Sequence, residues 1–465
     1  MRQIERLSFA VLALIVSWAS VAAAQTDTAS PQPAAVPQPP ERYGNTPDRY
    51  MPFGHFAEPY KRFFLEPLVF PGPGREKPEP EGLKSVKIGF LGPIQPTVSV
   101  ATGGASHEEP LGIKMLQGMR LAFEQANARG GYRGRIPYEL VVRNDNGLWG
   151  SSGNEIIHLA YNEKVWAIIG GIDGANSHIG IRVALKVELP WVNTGDTDPT
   201  FTETKIPWVF RVISDDRQMC YLLADYAYQK LGLKRVAGLR IGSRYGRVNI
   251  DEFRDGSRRL GHPLVTELQY KVGDTDFTTQ LERIKSLDVD GVVTYGDARE
   301  SGLILRQMRE MGMTTQVFLA SDRIVTDEFL KIVGDNPGPV IAGYPYDPTR
   351  DDPKLEEFRK AFRKRFNEEP EQYAAHGYDG ACILIEAIEK AGLNRALIRD
   401  ALAEMKRYHG VTGDIIFDAI QQDVTPACLA ILEDGKFNFY TREEVLGSAE
   451  ADAREASSES TSPTL

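Results

Sequence analysis

Residues 167–212 read AIIGGIDGANSHIGIRVALKVELPWVNTGDTDPTFTETKIPWVFRV. A short apolar run at 165–169 enters a loop of Gly, Asp, Asn and Ser at 170–177, and a helix is predicted over 179–188. A second apolar run at 189–192 enters a second loop at 193–199. The order is strand, loop, helix, strand, loop, with both loops at strand C-termini. In open parallel sheets, ligands are held in the crevice outside those ends. Both loops are rich in small hydrogen-bonding residues and poor in nucleophiles, which suits holding a small polar molecule over transforming it. Free N–H groups where the helix begins would favour an anion such as a ligand carboxylate. Asn176 or Ser177 reads equally well as the helix N-cap. Asp173 fits an anion site only if it points away or meets an amine. Thr197 can donate and accept, whereas Asp198-Pro199 also reads as plain turn chemistry.

The same alternation runs outward in both directions. Strands are predicted over 86–91, 138–143, 235–241, 264–271, 291–295 and 316–320. Helices are predicted over 113–128, 154–163, 218–231, 251–260, 277–285, 300–311, 354–367 and 377–391. Strands alternating with helices imply parallel sheets covered on both faces. One sheet would need too many strands, and the pattern restarts after 210–214. The expected fold is α/β, in two Rossmann-like lobes with a cleft between them, where small-molecule sites often lie. Three strand-end loops come from the second lobe: Gly242-Ser243-Arg244-Tyr245-Gly246, Tyr295-Gly296-Asp297 and Ala320-Ser321-Asp322-Arg323. They offer aromatics for an apolar part, a carboxylate for an amine and arginines for carboxylates. Arg244 and Arg323 read equally as exposed loop charge.

The 465 residues are 42% hydrophobic and 25% charged, an ordinary globular balance. A net charge of −10 argues against a nucleic-acid-coating protein, though acidity also serves solubility alone. Arg2 and Arg6 precede an apolar run at 7–21 and Ala22-Ala23-Ala24, the pattern of a signal peptide at 1–24. The run is short for a bilayer span, which needs about 20 residues. No cysteine near the cleavage site offers a lipid anchor, so an exported chain that does not span the membrane is expected; the resemblance described below implies that its compartment is the periplasm. Residues 25–83 form an extension: a disordered linker at 25–40, an aromatic-rich segment at 41–70 and a Pro/Gly/charge linker at 71–81. The aromatic segment suits packing on a surface or docking to a partner. Residues 442–465 are read as a disordered tail.

The catalytic inventory is negative. The sequence has no G-x-x-x-x-G-K-[ST], H-E-x-x-H or G-x-S-x-G. Its seven histidines are scattered without ligand spacing; His178 follows the first loop but reads more readily as a surface or cap residue. Cys220, Cys382 and Cys428 leave at least one thiol unpaired and fit no metal motif. A buried thiol acting as a small hydrophobe is the favoured reading for at least one of them. No catalytic residue, metal or cofactor is expected.

Several segments in order carry a resemblance. They are Val86-Lys87-Ile88-Gly89-Phe90-Leu91-Gly92-Pro93, GMRLAFEQANARGGYRG at 118–134, the opening unit, Tyr245-Gly246, LILRQMREMG at 303–312, His376-Gly377-Tyr378-Asp379 and GVTGDIIFD at 410–418. Together they resemble the type I periplasmic binding proteins of ABC importers, in the leucine/isoleucine/valine-binding group, over about 86–439. The resemblance implies a three-crossover hinge near Arg211, Ala342 and His409. Lobe one would comprise 84–211 plus 343–409, and lobe two 212–342 plus 410–441. It implies a ligand carboxylate met by Asp173, Gly174, Ala175, Asn176 and Ser177, with Gly174 and Ala175 standing at the usual serine positions. It places Asp196 and Thr197 in the second ligand loop, and Tyr245 and Tyr295 in tyrosine-glycine loops. The acid for the ligand amine falls on Asp322, one methylene shorter than the usual Glu. The first-strand loop, 92–111, is longer than usual. The implied partners are an amino acid-like small molecule and a membrane permease. An alternative is a periplasmic sensor passing ligand occupancy to a membrane partner. No nucleic acid is expected.

Overall fold

The computed structural model describes residues 66–94, 110–145, 149–405 and 407–447. The signal-peptide reading at 1–24, the linker and most of the aromatic segment, residues 95–109 of the first-strand loop at 92–111 and the tail beyond 447 lie outside the described residues.

The first lobe begins as β1 (Val86–Gly92), α1 (Pro110–Ala128), β2 (Tyr138–Asn144), α2 (Trp149–Ile157), β3 (Ile168–Gly170), α3 (Gly174–Val187), β4 (Trp191–Asn193), the short α4 (Thr200–Glu203) and β5 (Val209–Arg211). The second follows as α5 (Asp216–Asp225), β6 (Val236–Ile241), α6 (Arg244–Arg259), β7 (Thr266–Tyr270), α7 (Thr278–Lys285), β8 (Gly291–Tyr295), α8 (Ala298–Glu310), β9 (Val317–Ala320), α9 (Asp327–Val333) and β10 (Val340–Tyr344). The chain then adds α10 (Pro353–Phe366), α11 (Gln372–Ala391), α12 (Arg395–Ala403), a small β11 (Tyr408–His409) and β12 (Asp414–Ile415) ladder, β13 (Cys428–Glu433), β14 (Lys436–Tyr440) and α13 (Arg442–Leu446).

Strand order is β2-β1-β3-β4-β5 in the first sheet, all parallel. In the second it is β14-β13-β10-β9-β8-β6-β7, where β13 and β14 add antiparallel to a parallel set. The short strands β3, β4 and β5 are buried throughout, as covered parallel strands must be. In the first core Ile88, Phe90, Ile169 and Val192 pack against Met115, Met119, Leu384 and Ile388. Burying such a side chain stabilises by about 1.5–3 kcal/mol.

Helix α11 returns late in the chain and lies on α1, and two glycines let the backbones meet. A Cβ on Gly118 would stand 1.9 Å from the Ala374 carbonyl oxygen, and one on Gly377 would stand 2.5 Å from that of Met115. This contact fixes Gln372, at the start of α11, relative to the first sheet.

The segments linking the lobes meet at Ser214, whose hydroxyl donates to the carbonyls of Pro345 (3.1 Å) and Thr425 (2.8 Å). The second segment leaves β10 after Tyr344 rather than at Ala342, because pairing with β13 continues through Tyr344–Cys428. The third meets the first beside Arg211, at Gln422, and His409 stands apart on the exposed small ladder.

Three expectations are corrected. Residues 71–81 are not a loose linker: Arg75 pairs with Asp400 at 2.6 Å, Asn394 donates to the Gly74 carbonyl at 2.7 Å, and the Tyr132 hydroxyl meets Glu79 at 2.8 Å. Phe70 sets its edge against Trp208, with centroids 5.2 Å apart. Residues 442–446 are helical, not tail, because Thr441 and Glu444 form a capping box and Arg442 pairs with the buried Asp225. Helices α3 and α6 begin earlier than predicted, because Asp173 and Ser243 cap them. All three cysteines are free thiols, with Cys220 and Cys428 buried.

Candidate functional site

The first loop turns out of β3 through Gly170 and Gly171, both at positive φ. Asp173 is the N-cap of α3, not Asn176 or Ser177, and its carboxylate accepts from the Ala175 N–H at 2.7 Å. The Asn176 and Ser177 N–H groups bond back to the Asp173 carbonyl. The helix start read as an anion site therefore already carries the chain's own carboxylate. Asn176 turns its amide to Asp145 at 3.2 Å, and the buried Ser177 hydroxyl has no bond partner. Gly174 has a steric reason: a Cβ there would meet Asp198 Oδ2 at 2.8 Å and Arg244 Nε at 3.2 Å.

The second loop is wound by its own side chains. Asn193 Oδ1 accepts from the N–H groups of Gly195 and Asp196, and Asp196 Oδ1 accepts from that of Asp198. The buried Arg211 guanidinium donates to the carbonyls of Asp196 and Asp198, which ties this loop to the interlobe segment. The Thr197 carbonyl accepts from the Asp216 N–H at 2.8 Å, across the start of α5. Asp198 does form the expected turn, accepting from the Thr200 N–H and hydroxyl at 2.9 and 2.6 Å. Its other oxygen takes the Arg244 Nε at 2.6 Å.

That contact crosses the cleft. Arg244 opens α6 in the second lobe, and its second nitrogen reaches His178 at 3.1 Å and Thr200 at 2.9 Å. A second bridge joins Asp322 to Gln372, whose side-chain amide donates to Asp322 Oδ2. Asp322 Oδ1 accepts from the Tyr245 hydroxyl at 3.0 Å. Arg323 stacks 3.6 Å over the Tyr245 ring and pairs with Asp297 at 2.7 Å. Tyr295 goes elsewhere: its ring lies in the second-lobe core and its hydroxyl stands 3.1 Å from the Cys220 sulfur. The structure thus brings Gly174, Thr197, Tyr245 and Asp322 to the cleft.

Sequence reasoning missed Asp216 and Gln372, left Asp198 and His178 on their bland readings, and offered Arg244 to a ligand carboxylate or to solvent rather than to Asp198. No local motif marks these partners; only the two-lobe placement of both loop sets could have paired them. A cavity of about 260 Å³ near Tyr221, Tyr346, Arg350 and Arg442 lies away from these loops and contains none of the expected residues. Among the described residues, no group of three or more His, Cys, Asp or Glu is placed to hold a metal ion.

The cleft is rich in buried acid. Burial pushes the Asp196 carboxyl up to about 7, with the Asp198 charge adding and Arg211 opposing. Burial raises Asp216 well above the carboxylate range despite the Thr197 hydroxyl, and nearby Asp322, Asp198 and Asp196 raise it further. Burial also raises Asp322, moderated by Arg323, Gln372 and Tyr245. Burial opposes charge on Asp198 too, but His178, Thr200 and Arg244 outweigh it and hold that carboxyl low.

A raised acid holds its proton more tightly folded than unfolded. Its contribution to stability is full below the unfolded carboxylate range, about 4, and is lost as pH rises through the folded value. Asp198 slopes the other way, and only at lower pH. Ligand-free melting temperature is therefore expected to decline toward pH 7, and Asp196→Asn should make that decline shallower by removing one of the raised acids. Melting of both proteins from pH 5 to 8 checks this, and parallel profiles would show that Asp196 does not titrate there.

A family model described as periplasmic binding protein matches residues 85–433. The Leu/Ile/Val-binding protein homolog 2 of Brucella abortus is 27% identical over 351 residues, which cover 74% of this chain and 93% of that one. An amino acid binding protein of Pseudomonas aeruginosa is 28% identical, over 67% of this chain and 80% of that one. Among solved structures, the leucine binding protein LivK of Thermotoga maritima superposes with a TM-score of 0.68 at 26% identity, covering 77% of this chain and 98% of that one. The branched-chain amino acid transporter substrate-binding protein LivJ of Streptococcus pneumoniae, solved with isoleucine, gives 0.67 at 25%, covering 77% and 100%.

Proposed function

The chain belongs to the periplasmic binding protein family, and from that premise we propose that it is the periplasmic solute receptor of an ABC importer, taking an amine-bearing, amino acid-like solute into the interlobe cleft and handing it to a membrane permease. The relatives named for leucine, isoleucine and valine or for amino acids support the solute class. No helix of the described residues is long and apolar enough to cross a membrane.

One observation carries the reading. Two strand-end loops of the second sheet and the start of α11 from the other lobe converge on the buried Asp322, which is bonded by Tyr245 from its own lobe and by Gln372 from the other. A solute held between such loops contacts both lobes, so it favours the closed arrangement over the open one by its differential affinity. The cleft works by holding: Asp322 and Thr197 receive the amine, and lobe closure removes water.

Ligand that binds only the folded state stabilises it by about 2.7 kcal/mol at a concentration one hundred times Kd. A melting-temperature screen of amino acids, small amines and small carboxylates is expected to give a rise of a few degrees with at least one class. No response from any compound would count decisively against the receptor reading.

A further inference from the structure

Most of the usual places for a ligand carboxylate are already taken in this cleft, the buried Ser177 hydroxyl being the exception. Asp173 occupies the Ala175 N–H at the start of α3. The Arg244–Asp198 pair fills the space over Gly174, where the related hydroxyl would stand. The remaining bases are also engaged: Arg323 with Asp297, and Arg211 with Gln422 and the loop carbonyls.

The acids are not balanced in the same way. Asp196, Asp216 and Asp322 are each at most 2% exposed, and among the described residues none has an ion-pair partner within 4.0 Å. Oδ2 of Asp196 and Oδ1 of Asp216 lack any hydrogen-bond partner. Asp196 at least lies near the Arg211 charge. Asp216 is met by the Thr197 hydroxyl, and the charges that act on it most strongly are those of Asp322, Asp198 and Asp196. It sits at the start of α5, bonded through its N–H to Thr197 of the opposite lobe and facing Asp322. Burying a carboxyl without a cation is costly, and an orphaned oxygen adds its own desolvation penalty. A cationic solute removes both costs at once.

We infer that the solute carries two positive nitrogens, one met by Asp322 and the second by Asp216 beneath Thr197, so that the receptor takes small diamine- or guanidine-type cations in preference to zwitterions. The inference rests on the receptor reading and narrows it. A leucine-like zwitterion would satisfy Asp322 and leave Asp216 without a cation. A second ammonium or guanidinium has a buried carboxyl to pair with, which gives up its proton to solvent as the cation binds, and needs no anion pocket in return.

The test is isothermal titration of the full chain with L-lysine, 1,4-diaminobutane and agmatine against leucine and isoleucine, repeated on Asp216→Asn and Asp216→Ser. The dicationic probes are expected to bind at least tenfold more tightly than leucine. Asp216→Asn should lower the lysine-to-leucine affinity ratio at least tenfold. The ligand-free variant should melt at or above the wild-type temperature, because an unpaired buried acid has been removed. Binding of leucine without binding of the dications would overturn this inference and leave the receptor reading standing. A ratio unchanged in both variants would also overturn it. Failure of every probe to bind would overturn both.

Discussion

Replacing Asp322 by Ala is expected to weaken solute binding by about 2–5 kcal/mol, the usual cost of removing one partner of a buried, hydrogen-bonded charge pair. The carboxylate is buried, and both its oxygens already accept from the cleft walls, Tyr245 on one side and Gln372 on the other. Truncation therefore removes the counter-charge for the solute amine and also leaves a phenol and an amide unpaired in a closed site. Asp322→Asn separates the two contributions. It keeps the shape but not the charge, so it should restore part of the closure and little of the cation affinity. Titration calorimetry on the three proteins measures the split. Equal affinity across all three would mean that the solute amine is met elsewhere.

The second large effect is expected at Arg244. Arg244→Ala takes the guanidinium from Asp198 Oδ2, on a carboxylate only 5% exposed that keeps its Thr200 bonds, and removes the donor that reaches His178 and Thr200. Breaking such a pair costs about 3–5 kcal/mol when it is fully buried. Arg244 keeps 28% of its side-chain surface in water, so the lower end of that range applies here. Because the pair spans the cleft, the loss falls on the closed arrangement alone. Small-angle scattering of the ligand-free variant should show a larger radius of gyration than wild type, and its apparent Kd should rise. Gly174→Ser should act in the same direction, since its Cβ would press on Asp198 Oδ2 at 2.8 Å. A variant whose scattering matches wild type both with and without ligand would remove Arg244 from the closing machinery.

Much of the fold was legible because its signals are local. An apolar run that ends in Gly and Asp reads as a strand end whatever the rest of the chain does, and β8 lies where its pattern places it, at Gly291–Tyr295. Helix starts were less legible. Asp173 and Ser243 cap from the loop itself, so α3 and α6 begin before the apolar periodicity does. The site was legible only where one loop brings a chemically distinctive residue, as with Thr197, Tyr245 and Asp322. Arg244 and Asp198 lie 46 residues apart, and Gln372 and Asp322 lie 50 apart, in different lobes. Nothing local marks either pair: Asp198 alone reads as turn chemistry, Arg244 equally as exposed loop charge, and Gln372 carries no signal, although Asp322 itself stands out. Tyr295 shows the converse: its loop is at the right strand end, but the pleat turns its ring into the core.

The return of α11 onto α1 has a consequence for how the chain assembles. The second-lobe strands β6 to β10 follow one another without interruption, so their parallel set can form from a single stretch of chain. The first lobe cannot. Its α1 face stays open until α11 arrives, with Lys114 reaching Glu368 across 254 residues and Arg75 reaching Asp400 across 325. The entropy of closing so long a loop must be met before those contacts return anything. Assembly is thus staggered by topology: one half can acquire its native pairing early, while the other remains an incomplete surface until nearly the whole chain is present.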